Sequence, residues 1–426
     1  MQGPPAQCNS RPPACIMVLH LLVFSRRGSL IAVRERGVDM NAGMSRVASR
    51  FENRHRAFFD RSPGVSFAIR DPQGNEQAIG DGVPRFVLAA GNNRGMSALA
   101  TLDALVITEA YVSGAIDVEG DIEAALSMRD FFIDRHPLVT AWHMLWPRIR
   151  GQEQVDADNI SEHYDIDPDF FLAFLDRRHR CYSHGVFECD DEELEDGISR
   201  KLDFALDSVE ARPGDRILDV GGGWSAFTEH AGRKDIHVTS LTISRVSESF
   251  LNEVIARERI PCEVRFEHLH DHRPGKPYDS IVILGVTEHL PDYPRTLALY
   301  RSLLKPGGKI YLDASAMRKK YDLSSFLRKH IYPGNGSPMC LHDYLKAVAT
   351  SPFRLQCVHD DRHNYALTAK HWAQRFDAAG SEIERRWGAQ QYRKFRLYLW
   401  GCYDGFKRDF LQAYRVVLAL PSATAA

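Results

Sequence analysis

Arg216-Ile217-Leu218-Asp219-Val220-Gly221-Gly222-Gly223-Trp224-Ser225 decides the fold of this chain. Its first five residues read as a buried strand, three glycines end it, and a helical run follows through Phe227 to His230. Glycine allows a tight turn from strand into helix and lets the backbone approach a ligand closely. Outward from this point, Ile236-His237-Val238-Thr239-Ser240-Leu241-Thr242 and Tyr278-Asp279-Ser280-Ile281-Val282-Ile283-Leu284 read as further strands. Leu303-Leu304-Lys305-Pro306-Gly307-Gly308-Lys309-Ile310-Tyr311-Leu312 reads as a helix end, a turn and another strand. Strands alternating with helices predict an α/β, doubly wound, mostly parallel Rossmann-like sheet, with its ligand at the carboxyl ends of the strands.

The glycine loop does not complete a dinucleotide site. Gly221 and Gly223 fit G-x-G-x-x-G and Ala226 is an allowed third member, but the second strand ends Leu241-Thr242-Ile243-Ser244 where an acid is expected. Asp219 inside the first motif and the Leu304-Lys305-Pro306-Gly307-Gly308 turn, a common mark of class I methyltransferases, point instead to S-adenosylmethionine (SAM).

The chain has 426 residues, a formal net charge of -2, 44% hydrophobic and 26% charged residues. That is a globular composition of two or three domains, and near-neutral charge argues against nucleic acid as a partner. The run Ile16-Met17-Val18-Leu19-His20-Leu21-Leu22-Val23-Phe24 is too short for a membrane span and lacks a signal peptide's layout. The eight cysteines are scattered without CxxC and read as cytosolic thiols. We divide the chain into a disordered or non-native extension (1–45), an α/β or α+β accessory unit (46–150), linking and covering helices (151–195) and the sheet domain (196–420). Phe170, Phe171, Phe174 and Leu175 share one helix face, either as core packing or as a cover over a ligand. Arg177-Arg178-His179-Arg180 and Arg318-Lys319-Lys320 are candidate patches for anionic lipid headgroups, with solvated helix faces as the plain alternative.

From about residue 50 to 420 the chain resembles the cyclopropane-fatty-acyl-phospholipid synthases and their mycolic-acid relatives. The resemblance rests on Ile160-Ser161-Glu162-His163-Tyr164-Asp165, Tyr182-Ser183-His184-Gly185-Val186-Phe187, Asp219 to Trp224, Leu241-Thr242-Ile243-Ser244, Asp271-His272-Arg273, Thr287-Glu288-His289 and Ile331-Tyr332-Pro333. It implies a class I SAM-dependent methyltransferase with a smaller N-terminal lipid-binding-like domain. It also implies a reaction in which the cis double bond of a phospholipid acyl chain takes the SAM methyl group. A carbocation forms, and loss of a proton closes a cyclopropane ring. By the same resemblance Tyr182, Ser183, Gly221, Gly223 and Thr242 contact SAM, and Asp271 and Arg273 lie on the adenine side. Asp219 reads as a support for the loop. Aromatic residues such as Tyr365 and Phe187 would line the acyl tunnel, though core packing is the plainer role for most.

Family members hold a bicarbonate ion as proton acceptor through a Cys, a Glu, a His and a Tyr. Here Glu288 and Tyr365 match, while the Cys position is His184 and the His position is Asp313. Bicarbonate therefore stays an open cofactor, and Asp313 or His184 is a candidate protein base. The open outcomes are a cyclopropane, a methyl-branched alkene, or a SAM-binding lipid protein without the chemistry. Ser247 stands where the family has a Gln. With neither a signal layout nor a span in the sequence, the expectation is an enzyme in the cytoplasm, peripheral on the inner face of the membrane. Family members are often dimers, and no segment specifies an interface.

Overall fold

Short alternating stretches near the N-terminus build the first sheet: β1 Phe67–Arg70, β2 Glu76–Ile79, β3 Phe86–Ala90 and β4 Ile116–Gly120. The computed structural model describes residues 40–60, 64–134, 167–331 and 336–422. The strand order is β2-β1-β3-β4, with β1 and β3 parallel and the other two pairs antiparallel. The apolar alternation at 65–69, the short apolar run at 85–88 and the helical spacing over 102–111 give β1, β3 and helix Ala104–Val112. Strand β2 was not foreseen, because Glu76-Gln77-Ala78-Ile79 carries a single buried apolar residue. The core is aromatic: Phe67 stacks on Phe86 with centroids 5.0 Å apart, and Phe51 and Phe131 close over them. Asp121 and Asp103 cap helices Ile122–Ser127 and Ala104–Val112 through their carboxylates.

The second sheet has seven strands: β5 Arg216–Val220, β6 His237–Thr242, β7 Glu263–Phe266, β8 Tyr278–Leu284, β9 Leu304–Ala316, β10 Arg354–Asp360 and β11 Gln412–Ala419. Their order is β10-β11-β9-β8-β5-β6-β7, all parallel except β11, which runs against both of its neighbours. The chain leaves β5 toward β6 and β7, then returns to β8 on the other side of β5. That reversal opens a crevice at the carboxyl ends of the strands. Side chains alternate across the sheet, so Ile217 joins one core and Leu218 the other. The Lys305-Pro306-Gly307-Gly308 segment is a bulge at the start of β9 rather than a free turn. Tyr278 pairs with Leu304 and Ser280 with Lys309, and Gly307 takes φ +84.

Residues Met44–Ala426 form one compact unit, so the two sheets are packed together. Arg393 bonds Asp117 at 2.9 Å, Lys329 and His330 both reach Glu109, and Leu105 packs with Phe326 and Ile331. Residues 1–39, the Ile160 to Asp165 segment, and Tyr332 with Pro333 lie outside the described residues. Phe170, Phe171, Phe174 and Leu175 are buried, and core packing describes them. Phe170 stands edge-on to Phe395, and Phe171 packs 5.3 Å from Trp224 of the glycine loop. Among the described residues no helix is long and apolar enough to cross a membrane.

The two basic clusters are largely committed within the fold. Arg178 pairs with Asp196, Arg180 with Glu229, and Arg318 with Asp409. Lys320 donates to the Pro291 carbonyl, and His179 is buried, which pulls its pKa down to about 4.

Candidate active site

The crevice is lined at the ends of four parallel strands: 219–224 at β5, 241–244 at β6, 267–269 after β7, and 284–286 with 289–290 at β8, with Arg180 to Ser183 closing one side. Backbone shapes its floor. Gly221 has φ +84, and a Cβ there would lie 2.4 Å from Val286 Cγ2. A Cβ on Gly222 would meet Ser240 Oγ at 2.8 Å. Asp219 lies beneath the loop and accepts from Ser240 at 2.6 Å and Thr228 at 2.9 Å, tying β5 to β6 and to the following helix. Burial pushes its carboxyl up to about 6 despite those hydrogen bonds. Ser247, at the family's Gln position, donates to the Gly223 carbonyl at 2.7 Å and holds the loop from the helix above. A glycine cradle of this kind leaves bare backbone at the switch point and fits a nucleoside cofactor.

Behind the crevice lies a buried charged pocket. Glu288 follows β8, and its Oε1 accepts from the Ser315 backbone N–H and hydroxyl, each at 2.7 Å. Asp313 and Ser315 are two apart on β9 and so share one face. This brings the two carboxylates together, and burial, with the Asp313 charge adding to it, raises Glu288 to about 7. Lys201, fully buried on helix Leu194–Ser208, donates to Ser183 Oγ at 2.5 Å, Cys181 Sγ at 3.1 Å and Asp313 Oδ2 at 3.3 Å. Burial works against its charge, but Asp313 and Cys181 together outweigh that and raise its pKa. His184 is fully buried, with Nε2 3.1 Å from Asp361 Oδ2 and its ring 5.0 Å from that of Tyr365. Tyr365 in turn stacks on Phe406 at 4.3 Å.

Two carboxylate oxygens in this pocket, Glu288 Oε2 and Asp313 Oδ1, are buried without a hydrogen-bond partner among the described residues. An anion held between them would meet acceptors where it needs donors. These residues do not fit bicarbonate.

The structure places Tyr182, Ser183, Gly221, Gly223 and Thr242 on the crevice wall. It gathers His184, Glu288, Asp313 and Tyr365 in and around the pocket behind it. It does not bring Asp271 or Arg273 to the crevice: both are exposed, and Arg273 donates to the His270 and His272 carbonyls instead. The wall beyond β7 is formed by Glu267, His268 and Leu269, with Glu267 accepting from His272 Nδ1 at 2.6 Å. Sequence reasoning sought an acid after the second strand, whereas Glu267 stands after the third. Lys201, Asp361 and Arg415 were also missed, since Lys201 lies 112 residues from Asp313, Asp361 177 from His184 and Arg415 54 from Asp361, and no local spacing marks them.

Removing Asp313 leaves the Lys201 ammonium buried and unpaired. Asp313→Ala is expected to lose about 3–5 kcal/mol of stability in urea unfolding, and pairing it with Lys201→Met is expected to restore much of that.

A seven-stranded sheet of this order, with a glycine cradle at its switch point, defines a class I SAM-dependent methyltransferase, and SAM is its cofactor. Residues 151–416 match the mycolic acid cyclopropane synthetase family, and the chain belongs to that family. Cyclopropane mycolic acid synthase 3 of Mycobacterium tuberculosis is 27% identical over 271 residues, covering 59% of this chain and 93% of that protein. The sphingolipid C9-methyltransferase of Candida albicans is 25% identical over 297 residues, 62% of this chain, and the match spans 57% of that relative's length. The crystal structure of mycolic acid cyclopropane synthase CmaA1 complexed with SAH and CTAB is 25% identical, with TM-score 0.58, covering 62% of this chain and 98% of that one.

Proposed function

We propose that this enzyme transfers the methyl group of SAM to the cis double bond of an unsaturated fatty acyl chain of a phospholipid, through a carbocation, and closes a cyclopropane ring. One observation carries the reading. Tyr182, Ser183, Gly285 and Val286 line the cofactor crevice and are followed in the chain by the buried His184 and Glu288, so the methyl donor's site adjoins a buried cluster of acceptors and aromatic rings. The lipid-modifying names of the relatives support the substrate class.

SAM, when bound, supplies an electrophilic methyl group. An alkene is a weak nucleophile, so the protein's task is to hold it close and exclude water. We assign Tyr182, Ser183, Gly221, Gly223 and Thr242 to cofactor binding, with Glu267 beyond β7 in the place first expected of Asp271 and Arg273. Glu288 and Asp313 supply negative charge toward a developing cation, and the Tyr365 ring offers a π face. The four-stranded N-terminal unit is assigned to the lipid side. The enzyme is placed peripherally on the inner face of the membrane. Its two basic clusters are mostly spent on internal partners and contribute little to that attraction.

Labelled SAM incubated with vesicles of cis-unsaturated phospholipid is expected to give acyl chains heavier by one CH2, eluting as cyclopropane acids on gas chromatography. A methyl-branched alkene would keep the methyl transfer and remove the ring closure. That second product stays in view because two of the family's four bicarbonate holders are replaced. No label in lipid would overturn the proposal.

A further inference from the structure

His184 does not stand alone in the pocket. Its Nε2 lies 3.1 Å from Asp361 Oδ2, at an angle too oblique for a hydrogen bond, and neither ring nitrogen has a hydrogen-bond partner among the described residues. Asp361 is itself 1% exposed and held from two elements. Arg415 of β11 grips it through Nε and, at 3.0 Å, through Nη2. Asn364, at the start of helix Arg362–Ala378, donates to Oδ1 at 2.8 Å. Burial raises this carboxyl's pKa, but its contacts with His184 and Arg415 together outweigh that and hold it well below the usual range. A carboxylate against one ring nitrogen fixes the proton there and leaves the other nitrogen as an acceptor. Catalytic contacts of this kind commonly straighten only when substrate fills the site.

Among the described residues Asp313 and Glu288 each keep one oxygen without a partner, as His184 keeps Nδ1, and what sets His184 apart is the buried, doubly held carboxylate beside its ring. Asp313 has one oxygen tied to Lys201 and Ser183, and both Ser315 bonds fall on Glu288 Oε1. With bicarbonate unsuited to the pocket, the geometry points to Asp361 as the positioning residue that makes His184 the proton acceptor of the reaction, with Arg415 keeping Asp361 charged. This rests on the methyl transfer proposed above. In the ring-closing step one C–H bond of the added methyl breaks. Its electron pair forms the third ring bond to the cationic carbon, and the proton goes to His184 Nδ1. The resulting imidazolium sits beside the Asp361 carboxylate.

The test compares the full-length enzyme, Asp361→Asn, Asp361→Glu and the charge-neutral pair Asp361→Asn/Arg415→Gln on the same vesicles, in buffer freed of carbon dioxide and with bicarbonate added back. Expected are wild-type turnover independent of bicarbonate and a kcat lower by about 10²–10⁴-fold in Asp361→Asn, the range for loss of a proton acceptor or of the group orienting it. SAM affinity by calorimetry should stay within twofold, and Asp361→Glu should recover part of the rate. If Asp361→Asn does not fold, the neutral pair decides, with the same loss of kcat expected. A kcat within threefold of wild type in the folded variant, or wild-type activity that requires bicarbonate, overturns the assignment while leaving the methyl transfer intact. An unmodified enzyme that transfers no label fails the underlying reading, and the assignment with it.

Discussion

Gly221→Ala is expected to weaken SAM binding by about two orders of magnitude while leaving the rest of the fold in place. Two effects add at this one position. The backbone sits at φ +84, where an L side chain costs about 1–2 kcal/mol. The new Cβ would also stand 2.4 Å from Val286 Cγ2, and crowding of this kind costs about 1–3 kcal/mol. Val286 lines the crevice, so relieving the clash pushes its side chain into cofactor space. The variant escapes this strain in the free state by shifting the loop and Val286, and restoring the binding geometry at a cost of about 3 kcal/mol corresponds to roughly a hundredfold in Kd. Gly223→Ala supplies the contrast. Its φ is +49, but a Cβ there meets nothing closer than the Gly221 carbonyl at 3.8 Å, so backbone strain is the main penalty. Calorimetry with SAM on both variants should rank them in that order, and equal affinities would refute the steric account.

Glu288→Gln is expected to move activity and stability in opposite directions. Turnover should fall by about 10²–10³-fold, the scale for losing one preorganised group that faces charge developing in the transition state. Stability should rise, and only at higher pH. Burial has lifted the carboxyl from 4.5 to about 7, so the folded protein binds its proton more tightly than the unfolded chain does. That contribution is complete below about 4.5 and is lost as pH climbs through 7. Above it, the ionised Glu288 burdens the fold by an amount on the order of 3 kcal/mol. Glutamine carries no such charge. The variant should therefore melt above wild type at pH 8 and close to it near pH 4.5. The wild-type rate should climb as pH passes 7, and this rise should be missing from the variant. A melting difference that does not change with pH would show that Glu288 is not the group titrating.

Much of the catalytic domain was legible because its signals are local. A five-residue strand with three apolar members, three glycines and a helix are contiguous, and because Ile217 enters one core and Leu218 the other, the strand reads as an apolar run rather than an alternation. That Tyr182, Ser183, Gly221 and Thr242 belong together was readable for the same reason, since short runs carry them, and they line one crevice. The edges were harder. Strand β2 has one buried apolar residue, and the Lys305 to Gly308 bulge has a turn's composition but sits within a strand. The basic runs looked available for a membrane until their acidic partners appeared 18, 49 and 91 residues away.

The sequence by itself determined the doubly wound sheet, the cofactor loop and the replacement of two family residues by His184 and Asp313. It did so because hydrophobic period, glycine torsion and short motifs are properties of neighbours along the chain. Only the tertiary structure decided how those replacements are held. Lys201 against Asp313, and Arg415 against Asp361 against His184, are pairings of charges brought from separate helices, strands and loops into one dry pocket. There an ionised group is tolerated when a partner of opposite charge is in reach.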